Sequence, residues 1–218
     1  MSEIATVKER PLLMNGEMVR AVLDCRKTQT RRIVKPQPPE WINELHGGEL
    51  SQRAPYAIED DEQRVFGWGF QDDHDRYYKF PYGSIGDRLW VRETVKRAGA
   101  GACWFAADNS LVYGTDKLTG KRMAAHYQYK RDVLPSIHMP RDWSRITLEI
   151  TEVRVERLRD ISEEDAIAEG VVFGTGKPGE CRTCAKGAFM DLWNSINGTD
   201  AWLKNPWVWV MAFKKVTQ

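Results

Sequence analysis

Excess charge of either sign is missing from this 218-residue chain: 32 Lys and Arg stand against 31 Asp and Glu, leaving a net charge of +1. That excludes the protein-wide field by which strongly basic proteins gather polyanions, so any nucleic-acid contact has to be local. Cysteine is scarce, with residues only at 25, 103, 181 and 184, too few and too scattered for the disulfide framework of a small secreted protein. Long apolar runs are lacking as well. The longest, residues 206–213, falls far short of the roughly 20 residues needed to cross a bilayer, and the opening MSEIATVKER has no apolar signal core. The expectation is a soluble, cytoplasmic protein with no membrane partner. No internal repeat is visible, and the length suffices for one domain over residues 1–218 with a core that needs neither metal nor disulfide.

Metal and phosphate motifs are incomplete. Cys181-Arg-Thr-Cys184 has half of a zinc-site spacing, without a second pair or a Cys-His partner at a standard distance. Gly174-Thr-Gly176-Lys177 lacks the first glycine of a phosphate loop and has Pro178 where a magnesium-binding hydroxyl belongs. His46, His74, His126 and His138 are isolated from one another in sequence. The sequence therefore implies no metal and no cofactor.

Aromatics are plentiful. Nine tryptophans suit a core first, and base stacking second. A short strand at residues 11–14 leads through Asn15-Gly16 into a helix with Met18, Ala21, Val22 and Cys25 on one face. Residues 36–80, with PQPPE, EDDEQ and DDHDRYYK, have little periodicity and read as an irregular surface insertion that is nonetheless rich in rings. Strand composition returns at 88–92 and 104–108, with a second insertion after it. The clearest strand is ITLEITEVRVERL, residues 146–158, whose alternation slips at Thr151-Glu152 as a β-bulge requires. Ser162 to Asp165 has capping-box spacing before a short helix ended by Gly170. A second helix spans 188–197, with a stripe of Phe189, Leu192, Trp193 and Ile196 and a stop at Gly198. The last strand, WVWVMAF, is apolar on both faces and must be covered on both. The fold class is α+β: a small bent sheet or barrel with two or three helices.

Residues 25–32, CRKTQTRR, put four cations and two threonines just after the first helix. If the stretch is extended, Thr28, Thr30 and Arg32 share one face and Lys27, Gln29 and Arg31 the other. If it turns, Lys27 and Thr30 come onto one side. A solvated basic loop is the plain alternative, because Lys and Arg are mostly exposed residues.

The pattern Leu23-x-Cys25-x-Lys27-Thr28-x-Thr30-x-Arg32 resembles the Leu-x-Gly-x-Lys-Thr-x-Thr-x-Arg signature of the ASCH domain, a PUA-like β-barrel. Gly86-Asp87-x-Leu89-x-Val91, the slipped strand, Ala166-Ile167-Ala168-Glu169-Gly170 and Val208-Trp209-Val210-x-Ala212-Phe213-Lys214 follow in the family's order. Together they cover about half the chain, outside insertions at about 36–80 and 95–140, in a layout similar to longer ASCH proteins of phages and prophages. The resemblance implies a small bent PUA-like barrel with two or three flanking helices. It also implies recognition of RNA or a modified nucleoside, with Arg26, Thr28, Arg31, Arg32, Lys35 and Trp90 as ligand contacts. One branch, the bacterial 4-acetylcytidine amidohydrolases, further implies catalysis by Lys27, Thr30 and Glu169. In that scheme Thr30 attacks the amide carbonyl, a neutral Lys27 takes its proton, and Glu169 orients the lysine or shuttles the proton. Cys25 departs from the family's glycine, which supplies a left-handed backbone that cysteine reaches at a cost. Binding without turnover, and attachment to a host protein through the acidic residues 59–75, are the alternatives.

Overall fold

A computed structural model describes residues 7–39, 56–59, 65–71, 77–174 and 184–216. In chain order the elements are β1 (Glu9–Leu13), α1 (Gly16–Leu23), β2 (Gln29–Ile33), β3 (Tyr56–Glu59), β4 (Val65–Gln71), β5 (Tyr77–Lys79), β6 (Arg88–Arg92) and β7 (Val95–Arg97). They continue with β8 (Cys103–Phe105), β9 (Tyr113–Thr115), β10 (Arg122–Ala124), β11 (Val133–Leu134), β12 (Thr147–Arg157), α2 (Glu163–Ala168), α3 (Ala185–Asn197) and β13 (Trp207–Val216). The class is mixed α+β and mostly sheet. No helix among the described residues is long and apolar enough to cross a membrane.

The chain packs as two compact units. The first comprises Met1–Asp24, Arg88–Glu149 and Lys215–Gln218; the second, Cys25–Asp87 and Ile150–Lys214. In the first unit β1 runs parallel to β6, which pairs antiparallel with the start of β12 at Thr147 and Leu148. Asn15 caps α1 by accepting a hydrogen bond from the Met18 amide at 2.8 Å, satisfying one of the orphan donors of the first turn. The buried face of α1 is Val19, Ala21 and Val22; the helix stops at Leu23, so Cys25 lies beyond it and is exposed.

The region read as a second insertion is ordered. Strands β11, β7 and β8 form a three-stranded antiparallel sheet, and β9 and β10 a hairpin. Val95, Cys103, Phe105, Val112, Ala125, Tyr127, Leu134 and Met139 pack with Trp90 as this unit's own core. Burial pushes the Cys103 thiol up to about 11, which makes it an inert packing residue. Beside this core, Arg145 makes a two-pronged contact with the buried Glu93, at 2.9 and 2.7 Å. Its remaining nitrogen reaches Asp108 at 2.7 Å and the Ser110 hydroxyl at 2.6 Å, with the guanidinium 4.0 Å above the Phe105 ring.

In the second unit the order is β12-β13-β2, with Trp209 of β13 opposite Arg32 and Met211 opposite Thr30. Both faces of β13 are covered, as its sequence demands. Val208 and Val210 pack with Phe189, Trp193, Trp202 and Ala166 from the helical side. Trp209, projecting the other way, meets Phe70 and Phe80 at ring separations of 5.7 and 5.4 Å. Those two rings belong to the stretch read as an irregular insertion, and there the sequence reading needs correction. Strands β3, β4 and β5 form an antiparallel sheet. Periodicity missed it because its pairing partners are separated by segments of other composition. Residues 40–55, 60–64 and 72–76 of that stretch, with Trp41, His46 and His74, lie outside the described residues.

Strand β12 follows its sequence: Ile150 and Val153 are buried with Thr151 and Glu152 exposed between them, so the inward phase shifts by one. Ser162 accepts from the Asp165 amide at 3.1 Å and caps α2, as its capping-box spacing predicts. Helix α3 begins at Ala185, and its stripe is Ala185, Ala188, Phe189 and Trp193; Ile196 is exposed.

Candidate functional site

The basic stretch leaves α1 through a left-handed residue. Cys25 has φ 59°, the conformation for which glycine is the usual choice. Cys25→Gly is expected to raise the urea midpoint, by up to about 1 kcal/mol of relieved backbone strain; a lower midpoint would mean that the cysteine side chain compensates.

Beyond Cys25 the chain extends. Lys27 bridges Glu169, the Thr28 amide donates to the Ala168 carbonyl at 2.8 Å, and β2 begins at Gln29. Alternation then sorts the motif onto two faces. Lys27, Gln29 and Arg31 all reach the α2 end. The Lys27 amine donates to the Glu169 carboxylate at 2.6 Å and to its carbonyl at 2.9 Å, and Gln29 donates to the Asp165 carbonyl at 2.9 Å. Arg31 reaches Glu169 at 3.2 Å, Asp165 at 2.8 Å and Glu156 at 3.0 Å. Arg154 closes the group by bonding Glu152, Glu156 and Asp165. The Arg31 and Lys27 side chains are wholly buried.

Burial pushes the Lys27 amine down from its ordinary value, with Glu169 opposing that shift and Arg32 and Arg31 adding to it. Burial raises Asp165, but the Arg154 and Arg31 charges outweigh it and hold the carboxyl below its usual range. The structure thus brings together two of the three residues in the implied catalytic set, Lys27 and Glu169. Thr30 lies on the opposite strand face, across from Met211. Exposure is 2% for Lys27, 1% for Thr30 and 3% for Glu169, so the group as it stands is sealed from solvent.

The other face of β2 opens outward. Arg32, Ile33 and Lys35, with Lys79, Pro81, Tyr82, Asn197 and Trp209, line a hollow of about 420 Å³. Three cations, two aromatic rings and one amide surround it, and no carboxylate is among its lining residues. Of the remaining expected contacts, Arg26 is exposed and donates to the Gly170 carbonyl at 2.9 Å, and Thr28 is exposed. Trp90 is buried in the first unit, with the Arg92 and Arg141 guanidinium groups 4.7 and 5.7 Å from its ring. His138 is exposed in that same unit, in the short turn Ser136–His138.

Sequence reasoning missed Lys79, Tyr82 and Asn197, which come from regions with no pattern linking them to the motif. It also missed Glu156 and Arg154, although Glu152, Arg154 and Glu156 alternate on one strand face, a signal of a charged ladder. Cys184 caps α3 through its sulfur, while Cys181 and residues 175–183 lie outside the described residues. No group of three or more His, Cys, Asp or Glu among the described residues is placed to hold a metal. The chain matches no family model, no curated protein and no solved structure.

Proposed function

We propose that this chain is an ASCH-type protein whose second unit recognises a nucleotide of RNA, a cytidine derivative foremost, in the hollow beside the basic strand. The observation that carries the reading is the composition of that hollow. Arg32, Lys35 and Lys79 supply phosphate contacts, the half-buried Tyr82 offers ring surface above the buried Trp209, and the Asn197 amide both donates and accepts at a base edge. Its volume of about 420 Å³ falls within the ordinary range for small-molecule sites. The bent PUA-like barrel belongs to the same proposal, supported by the motif order and by the slipped strand β12. Binding is favoured over turnover because Lys27, Thr30 and Glu169 are each sealed in and the threonine faces away from the lysine.

Titration calorimetry with cytidine 5′-monophosphate and with cytidine tests this. The monophosphate should bind, cytidine should bind about tenfold more weakly, and Arg32→Ala should erase most of that difference, since a charge-assisted hydrogen bond contributes about 1.5–3 kcal/mol. No heat from the monophosphate with folded wild-type protein would sink the proposal. Incubation with N4-acetylcytidine extends the test to hydrolysis: deacetylation by the wild type, abolished in Lys27→Ala, would add an amidohydrolase activity to the binding function.

A further inference from the structure

The first unit carries an exposed sheet face that the hollow does not use. Across β11, β7 and β8 the directly opposed residues are Val133, Lys96 and Trp104, and Trp104 is bridged in turn to Leu111. Opposed residues in antiparallel pairs share a face. On the reverse side Leu134, Val95 and Phe105 occupy the same three strands and are buried in the core. The outward row is therefore uncovered. Trp104 is 43% exposed and Val133 45%, and Tyr113, two residues beyond Leu111, is 47% exposed. Ordinary packing does not explain a tryptophan in the middle of an open sheet face with a lysine directly beside it.

The charge around this row identifies its occupant. Between residues 95 and 134 the chain has seven Lys or Arg against three Asp, net +4, although the whole protein is only +1. Of the three aspartates, Asp108 is bound to Arg145 and Asp132 to Arg97. Lys96, Lys130 and Arg131 are exposed and have no ion-pair partner among the described residues. Lys96 lies within the row, and Lys130 and Arg131 precede β11 at one end of it, separated from the strand by Asp132, which is paired with Arg97. One flat ring on the sheet, Trp104, a second on the neighbouring strand β9, Tyr113, and unneutralised cations beside them fit a polynucleotide: bases stack on the rings and phosphates meet the cations. An apolar protein partner would leave those cations facing a low-dielectric interface without counter-charge.

We infer that the outward face of β11, β7 and β8, centred on Trp104 and Lys96, binds single-stranded RNA by base stacking. The inference rests on residues of the first unit alone and stands whether or not the hollow binds a nucleotide.

Fluorescence anisotropy with a labelled oligouridine of about 12 nucleotides, a length within the range covered by single-strand-binding domains, provides the measurement. Trp104→Ala should weaken binding about tenfold or more, because stacking contributes about 1–3 kcal/mol per base. Lys96→Ala should lower the slope of log affinity against log salt by about one phosphate's worth between about 50 and about 200 mM salt. Both positions are exposed, so the variants should keep the wild-type melting temperature and an unchanged calorimetric titration with cytidine 5′-monophosphate. Oligouridine affinity unaltered in Trp104→Ala would overturn the inference. So would tighter binding of the matching oligodeoxythymidine, which would assign the face to DNA. A concentration-dependent dimer in sedimentation that Trp104→Ala dissolves would assign it to a protein contact and overturn the inference equally.

Discussion

Glu169→Ala is expected to lower the unfolding free energy by about 3–5 kcal/mol, the range for removing one partner of a buried ion pair. The two cations it touches are affected unequally. Arg31 keeps Glu156 and Asp165, whereas Lys27 keeps only the carbonyl of residue 169. The loss therefore falls on the lysine, whose amine burial already pushes below its ordinary value. In the variant this depression deepens, so the unfolded chain binds a proton that the native amine has released. Stability should consequently rise with pH from the depressed native value of Lys27 up to the ordinary lysine value, and part of the deficit should return toward pH ~10. Urea unfolding across that range reads both effects. A Lys27→Met, Glu169→Leu pair should recover most of the loss, since apolar residues of similar volume often replace a buried ion pair without cost. A deficit below about 1 kcal/mol, or one that does not change with pH, would mean that water reaches the pair and that the site is open.

Arg145→Leu should produce a loss of similar size with the opposite pH dependence. Its two-pronged contact serves Glu93, which is buried and whose carboxyl burial raises above the usual range despite the hydrogen bonds from Arg145. Without the guanidinium the native carboxyl holds its proton to still higher pH than the unfolded one, so stability falls as pH rises above the ordinary glutamate value. Asp108 adds to this. Partial burial raises its carboxyl, but hydrogen bonds from Arg145 and Ser110 and the arginine's charge hold it at about 2. The stability this confers is present above the ordinary aspartate value and is lost as pH falls toward 2. The variant lacks most of that contribution at neutral pH. The deficit should thus approach about 3–5 kcal/mol near pH 7 and shrink markedly near pH 4, checked by urea unfolding at both. A deficit of constant size would mean that the arginine acts by packing on Phe105 and not through its carboxylates.

The contrast between the two ion clusters shows how legible each was. Lys27 and Arg31 were singled out within a dense basic motif, and Glu169 through the resemblance to the amidohydrolase branch. Glu93 and Arg145 were not. Neither belongs to a charge cluster or motif of its own, and nothing local ties positions 52 apart in the chain.

Local patterning by itself settled the caps at Asn15 and Ser162, the phase slip in β12 and the two-sided burial of β13. Each depends on residues within one or two turns of one another, where sterics and short-range hydrogen bonds act. Tertiary packing alone decided that residues 27–32 run extended, and hence that Lys27 and Thr30 face apart, because both conformations suit that composition and only pairing with β13 and α2 selects one. It alone also brought Lys79, Tyr82 and Asn197 to Arg32, and left Trp104 uncovered while most of the other described tryptophans went inside. Which aromatic is buried depends on what long-range pairing lays over it, and that information resides in no single stretch of the chain.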